Sequence, residues 1–200
     1  MHLLLIRHAE SSGNLAGVLQ GRTDSPLTPR GERQAVLLAE RLAVGTSFDA
    51  LYASPLIRAD STARAIASLT GHAVEHLPTA MEYDFGEATG VAFQDAAERF
   101  SISPAGFPVF PGEEGRDQFQ QRVCEAFWGL ERLHPEDTVA VVTHGGPITV
   151  FCFTAIGLQY RRPAPFAIHN ASITTLDIRD GRGTLVSLND TCHLDVLGIE

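Results

Sequence analysis

The chain has 200 residues with 44% hydrophobic content, enough for one domain with a packed core. Its net charge of -9 excludes a general nucleic-acid-binding or anionic-membrane surface, each of which needs a basic footprint. All 15 basic residues are arginine, which excludes chemistry built on a P-loop lysine or a lysine Schiff base. Leu3–Ile6 is an apolar run ending in Arg7-His8, and it predicts a buried strand with a cation and an imidazole at its C-terminal edge. Residues 12–26, rich in Gly, Ser, Asn and Asp, are predicted as a loop. Thr28 as N-cap and Pro29 as first residue then open an amphipathic helix over about 29–43, with Ala35, Leu38, Ala39 and Leu42 on one face. Phe48–Ala53 is a predicted second strand. Ser54-Pro55 restarts a helix that carries Ala59, Thr62, Ala63 and Ile66 and has Gly71 just past its end. Residues 73–77 are a predicted third strand.

From Thr79 to about Gly115 the pattern is irregular and rich in Gly, Pro and Phe, with one short helix expected over 92–100. A segment of this length inside a compact domain predicts a lid over a site, and its aromatic content argues against disorder. Residues 116–134 return to helical spacing. Thr138–Thr143 is a second apolar run ending in a histidine, His144, followed by Gly145-Gly146, and Pro147 opens a helix that stops at Gly157. Residues 172–178 and 184–188, joined across Asp180–Gly183, predict a terminal hairpin. Strands alternating with helices predict an α/β three-layer sandwich with a mostly parallel central sheet. The expected organisation is a single domain over 1–200 with a small lid lobe, about 79–115, inserted. Cys124, Cys152 and Cys192 form no CxxC pair, and the N-terminal apolar run is too short for a signal peptide or a membrane span. A cytoplasmic protein is the expectation.

If the two histidine-terminated strands lie side by side and parallel, His8 and His144 meet at one sheet edge, where open α/β sheets place their ligands. Arg58 falls in the first turn of the helix after Ser54-Pro55, and Gly145-Gly146-Pro147 opens another helix. Two arginines, two histidines and two helix N-termini would form a pocket for a dianion, with phosphate the natural candidate. Of the remaining histidines, His2, His72, His76, His134 and His193 are scattered without metal-ligand spacing, and neither a metal nor another cofactor is expected.

In its motifs the chain resembles the histidine phosphatase superfamily, the phosphoglycerate-mutase-like enzymes. Arg7-His8-Ala9-Glu10-Ser11 with Asn14 is similar to the family's opening signature, with Ala9 where Gly is commonest. Gly21–Thr28 with Gly31, Gln34 and Ala35 resembles the next block, and Tyr52–Ala59 with Thr62 and Ala63 the block supplying the second arginine. Glu82–Glu87 and Val142–Gly146 are similar to the segments bearing the acid and the second histidine. The resemblance implies His8 as the nucleophile and Glu82 as proton donor. It implies Arg7, Arg58 and His144 as holders of the phosphoryl oxygens, with Asn14, Gly21 and Gly145 also at the phosphate. It further implies a metal-independent phosphomonoester hydrolase working through phosphohistidine on a small-molecule substrate. A cofactor-dependent phosphoglycerate mutase and a non-catalytic phosphate- or phosphopeptide-binding module are the alternatives on the same fold.

Among the other residues, Glu113-Glu114 is expected to order the lobe; Arg22 is read as a surface residue with contact to the substrate as the alternative, and Arg161-Arg162 as a solvated pair with anion binding as the alternative. His169-Asn170 is either backing for the pocket or plain loop. Phe85, Phe93, Phe100, Phe107 and Phe110 lie in the lid segment. One or two of these rings, with Tyr83 a further candidate, are expected to face the substrate and favour aryl or nucleoside-like monoesters over 3-phosphoglycerate.

Overall fold

The two histidine-terminated runs lie next to each other in a six-stranded sheet. In the computed structural model, which describes residues 1–45, 47–100, 102, 109–160 and 164–197, the strands are β1 (His2–Arg7), β2 (Ala50–Ala53), β3 (Val74–His76), β4 (Thr138–Thr143), β5 (Ile173–Arg179) and β6 (Arg182–Asp190). Their order is β3-β2-β4-β1-β5-β6. The first four run parallel, and β5 and β6 are added antiparallel on the β1 side. The register pairs Arg7 with Thr143, so the next residues, His8 and His144, leave the sheet together.

Both faces of the central strands are apolar because both are covered. Leu4, Ile6, Leu51, Ala140 and Val142 pack against α2 (Pro29–Gly45) and α3 (Ile57–Thr70), through Ala35, Leu38, Leu42, Ala63 and Ile66. Leu3, Leu5, Val139 and Val141 face α5 (Arg116–Leu133) and α6 (Gly145–Ala155), through Val123, Phe127, Ile148 and Phe151. The segment between β3 and α5 carries two short 3-10 turns and α4 (Phe93–Arg99). It adds Tyr83, Phe85, Val91, Ala96 and Phe110 to the second of these cores. Among the described residues no helix is long and apolar enough to cross a membrane.

Three local expectations are corrected. The predicted loop over 12–26 begins with a helical turn, α1 (Ser12–Leu15). It forms because Ser11 and Asn14 make a capping box, with Ser11 Oγ accepting from Asn14 N and Asn14 Oδ1 accepting from Ser11 N. The second strand starts at Ala50 rather than Phe48. The hairpin turn is only Asp180-Gly181, at φ 53° and 69°, because an Asp-Gly pair tolerates the two left-handed residues of the tightest turn. Arg182 and Gly183 therefore belong to the ladder, and β6 runs on to Asp190.

Candidate active site

Three neighbouring parallel strands end at one edge of the sheet and deliver His8 from β1, His144 from β4 and Ser54 from β2. His8 N donates to Thr143 O (2.9 Å) and Ser54 N to Val142 O (2.9 Å), which keeps the three exits in step. The two imidazole rings lie 5.1 Å apart in an edge-on arrangement. His8 Nδ1 is 2.8 Å from Ala9 O, and a carbonyl only accepts, so Nδ1 carries the proton and Nε2 presents its lone pair. Burial pushes the His8 pKa well below the usual imidazole range, and the Arg7 and Arg58 charges push the same way against the Ala9 bond. His144 is lowered likewise by burial, Arg58, His8 and Arg7. Both rings are neutral at pH 7.

The helices hold the segment after His8 in place. Ala9 N donates to Thr62 Oγ1 (3.1 Å) on α3, and Glu10 N to Gln34 Oε1 (2.8 Å) on α2. A Cβ at Gly31 would sit 1.9 Å from Glu10 O, so α2 closes this near only with glycine there. Asn170 Nδ2 donates to His8 O (3.0 Å) and to Asn14 Oδ1 (3.2 Å), tying α1 to the strand end.

Arg58 is buried, at 1% exposure. Its terminal nitrogens donate to Thr23 O (2.8 Å) and Gly21 O (2.7 Å). Burial lowers its pKa to about 10, with Glu82 and Asp24 opposing the shift, so it stays cationic at neutral pH. Arg7 Nη1 donates to Ile168 O. Arg7 Nε, Arg58 Nε and His144 Nδ1 are buried and find no partner among the described residues. Glu82 completes the group. Its carboxylate accepts from Tyr83 N (2.8 Å) and from Gly146 N (3.1 Å) in the first turn of α6.

Arg7, His8, Arg58 and Glu82 line a cavity of about 360 Å³, and His144 is buried outside its lining. Its floor is Arg7, His8, Arg58, Glu82 and Gly145, and Val18, Leu19, Phe85, Phe93, Ala96 and Phe110 form its outer wall. A neutral imidazole with a free lone pair among cationic donors and one carboxyl group is equipped to take up a phosphoryl group and return a proton to what leaves. Among the described residues no group of three or more His, Cys, Asp or Glu is placed to hold a metal ion.

The family model for the histidine phosphatase superfamily (branch 1) matches residues 3–191. The chain belongs to the histidine phosphatase superfamily. It is 32% identical over 205 residues to the metal-independent phosphoserine phosphatase of Arabidopsis thaliana, covering 98% of this chain and 84% of that one. To the adenosylcobalamin/alpha-ribazole phosphatase of Escherichia coli K12 it is 31% identical over 195 residues, covering 94% and 96%. A mutant phosphoserine phosphatase of Entamoeba histolytica, solved with phosphoserine, has a TM-score of 0.84 at 30% identity, over 96% of this chain and 98% of that one. The reaction of this histidine phosphatase is the hydrolysis of a phosphomonoester by way of a histidine.

The structure brings Arg7, His8, Asn14, Gly21, Arg58, Glu82 and Gly145 to one cavity, while His144 is not among its lining residues and has its ring 5.1 Å from that of His8. Gly21 acts there as an acceptor, since its carbonyl holds Arg58. Of the two helix starts expected to meet an anion, each has one N–H taken by a carboxylate of this chain. Asp24 Oδ1 takes Ile57 N (3.0 Å) at the start of α3, and Glu82 takes Gly146 N at the start of α6. Tyr83 does not face the substrate side, because it is buried with its hydroxyl donating to Glu113 (2.7 Å). Phe100 packs on Phe110 at 5.1 Å, while Phe107, Arg161 and Arg162 lie outside the described residues. Arg22 pairs with Glu114 (3.0 Å). The sequence reading missed Gln20 and Arg116, which line the cavity, and it left Asn170 between two roles. A lone Gln in a loop and an Arg at a helix start carry no signal that could have found them.

Proposed function

We propose that His8 attacks the phosphorus of a small phosphomonoester through Nε2 and that Glu82, protonated, gives its proton to the departing oxygen. The N–P bond forms as the P–O bond to the alcohol breaks, leaving phosphohistidine, a free alcohol and the Glu82 carboxylate. Water then yields a proton to Glu82 and attacks the phosphorus. The N–P electron pair returns to His8, and phosphate leaves. Arg7, Arg58 and His144 hold the phosphoryl oxygens throughout, and the two guanidinium charges do the work that a metal ion does elsewhere. The observation that carries this reading is that Arg7, Arg58 and His144 each keep a buried nitrogen with no partner among the described residues, together with a His8 imidazole whose tautomer leaves Nε2 unprotonated.

The outer wall supports a leaving group with an apolar body. Phe93, 63% exposed, has the most surface to cover on binding, and Val18, Leu19, Gln20 and Arg116 line the same cavity. Beyond Arg7 and Arg58, Arg116 is the one further cation among the described lining residues, which favours hydrolysis over retention of a bisphosphate as in a mutase. Cys124, Cys152 and Cys192 are all unpaired, which suits a reducing compartment, and we place the enzyme in the cytoplasm. The test is a panel of aryl, nucleoside-like and alkyl phosphomonoesters, including phosphoserine and 3-phosphoglycerate, assayed on the purified protein and on Phe93→Ala. Burying such a ring is worth roughly 1–3 kcal/mol, so Phe93→Ala should raise KM for the apolar monoesters by about tenfold. A clear preference for 3-phosphoglycerate that survives the substitution would refute the substrate reading.

A further inference from the structure

Glu82 sits on a stretch of chain that no sheet ladder or α-helix supports. It follows a short 3-10 turn, Pro78–Ala80, and precedes a coil. Its main chain is nevertheless held at four successive carbonyls, all by side chains. Thr143 Oγ1, one residue before His144, donates to Ala80 O (2.6 Å). Arg122, on α5 and outside the cavity, takes the other three. Its Nη1 donates to Thr79 O (2.7 Å) and Met81 O (3.0 Å), and its Nη2 to Glu82 O (3.3 Å).

The guanidinium is itself fixed in plane and rotation. Nε and Nη2 donate to the two oxygens of Glu114, at 2.6 and 2.9 Å, in the paired geometry that only a guanidinium and a carboxylate make. Its carbon stands 5.2 Å from the centre of the Phe119 ring. Both partners are largely buried, with side-chain exposures of 17% for Arg122 and 11% for Glu114.

We propose that Arg122, oriented by Glu114, is a positioning residue for proton transfer by Glu82, and that it acts through the main chain of residues 79–82. The inference rests on the reading of Glu82 as the proton donor. A carboxyl group that must meet a departing oxygen tolerates little displacement, and the main chain beneath it is otherwise held by the turn bonds Ala80 N to Leu77 O (2.9 Å) and Met81 N to Pro78 O (3.2 Å).

A purely structural role would lower the amount of folded enzyme and affect every substrate alike. A positioning role changes the ratio of two substrates, and that ratio does not depend on how much of the sample is active. The measurement is kcat/KM for p-nitrophenyl phosphate, whose leaving group needs little help from an acid, and for an alkyl monoester such as glycerol phosphate, whose leaving group needs much. It is made on the wild type, Glu82→Gln, Arg122→Lys and Glu114→Gln, and on Glu82→Gln combined with Arg122→Lys. Lysine keeps the charge near Phe119 but cannot span Glu114 and three carbonyls. Glu114→Gln keeps Arg122 and removes the charge that orients it, so either variant serves if the other folds poorly.

The expected result is that the alkyl-to-aryl ratio falls about tenfold or more in Arg122→Lys and Glu114→Gln, within the ~10²–10⁴-fold that one positioned acid supplies. In the Glu82→Gln background Arg122→Lys should add no further fall. An unchanged ratio in both single variants, while Glu82→Gln lowers it, would overturn the role of Arg122 and leave Glu82 as the acid. So would a further fall of the same size in the double variant. An unchanged ratio in Glu82→Gln would remove the acid reading itself, and this inference with it.

Discussion

Gly146 offers a way to displace the Glu82 carboxyl without touching either Glu82 or its main chain. A Cβ at this position would lie 2.1 Å from Glu82 Oε1 and 3.0 Å from its Cδ, where ordinary contact begins at 3.4 Å. In Gly146→Ala the carboxyl must therefore retreat by roughly 1 Å or more, a misplacement of the size that costs about 10²-fold in rate. The retreat also lengthens the 3.1 Å bond from Gly146 N. Folding should suffer much less. Alanine is favoured over glycine in a helix by up to ~1 kcal/mol, and the nearest other atom, Phe119 Cζ at 3.2 Å, needs to give only slightly. Because kcat/KM reports only the steps up to phosphohistidine formation, the alkyl monoester should lose about 10²-fold there while p-nitrophenyl phosphate loses far less. Thermal unfolding of the same samples checks that the fold is intact. Equal losses on the two substrates, or no loss on either, would refute the argument that Glu82 gives up its proton from this position.

Three further outcomes follow from the same geometry. His8→Ala should stay folded, lose turnover, and yield no acid-labile, base-stable phosphate when quenched rapidly with substrate; full activity in it would end the covalent mechanism. Turnover should survive EDTA, and a strict requirement for an added divalent ion, restored by titration, would contradict the part given to the arginines. Burial holds His8 and His144 neutral well below pH 6.5 in the folded protein, while the unfolded chain takes up their protons near pH 6.5. The unfolded state thus binds more protons below that pH. Stability in urea should be level above pH 6.5 and fall as the pH drops below it, by up to ~1.4 kcal/mol per pH unit for each histidine. A urea midpoint unchanged between pH 7 and pH 5 would show that these rings are not held neutral.

Residue order alone determined the strands that end in His8 and His144, the capped helix at Thr28-Pro29, the α/β class and the arginines beside the site. Those features are local, because an apolar run, a cap or a turn is decided by neighbours a few positions away. The Asp180-Gly181 turn and the capping box at Ser11 and Asn14 were equally local. They are hard to tell from loop because a few polar residues there satisfy one another. What only the tertiary structure decided is the use to which each group is put. Gly21 and Thr23 spend their carbonyls on Arg58, and Glu82 and Asp24 each take one N–H at the two helix starts that residue order alone left open to an anion. Tyr83 turns inward to Glu113, while Phe93 and Arg116 line the cavity. Each of these pairs residues far apart in the chain, and which donors remain for a substrate depends on every other partner the packed chain has already supplied.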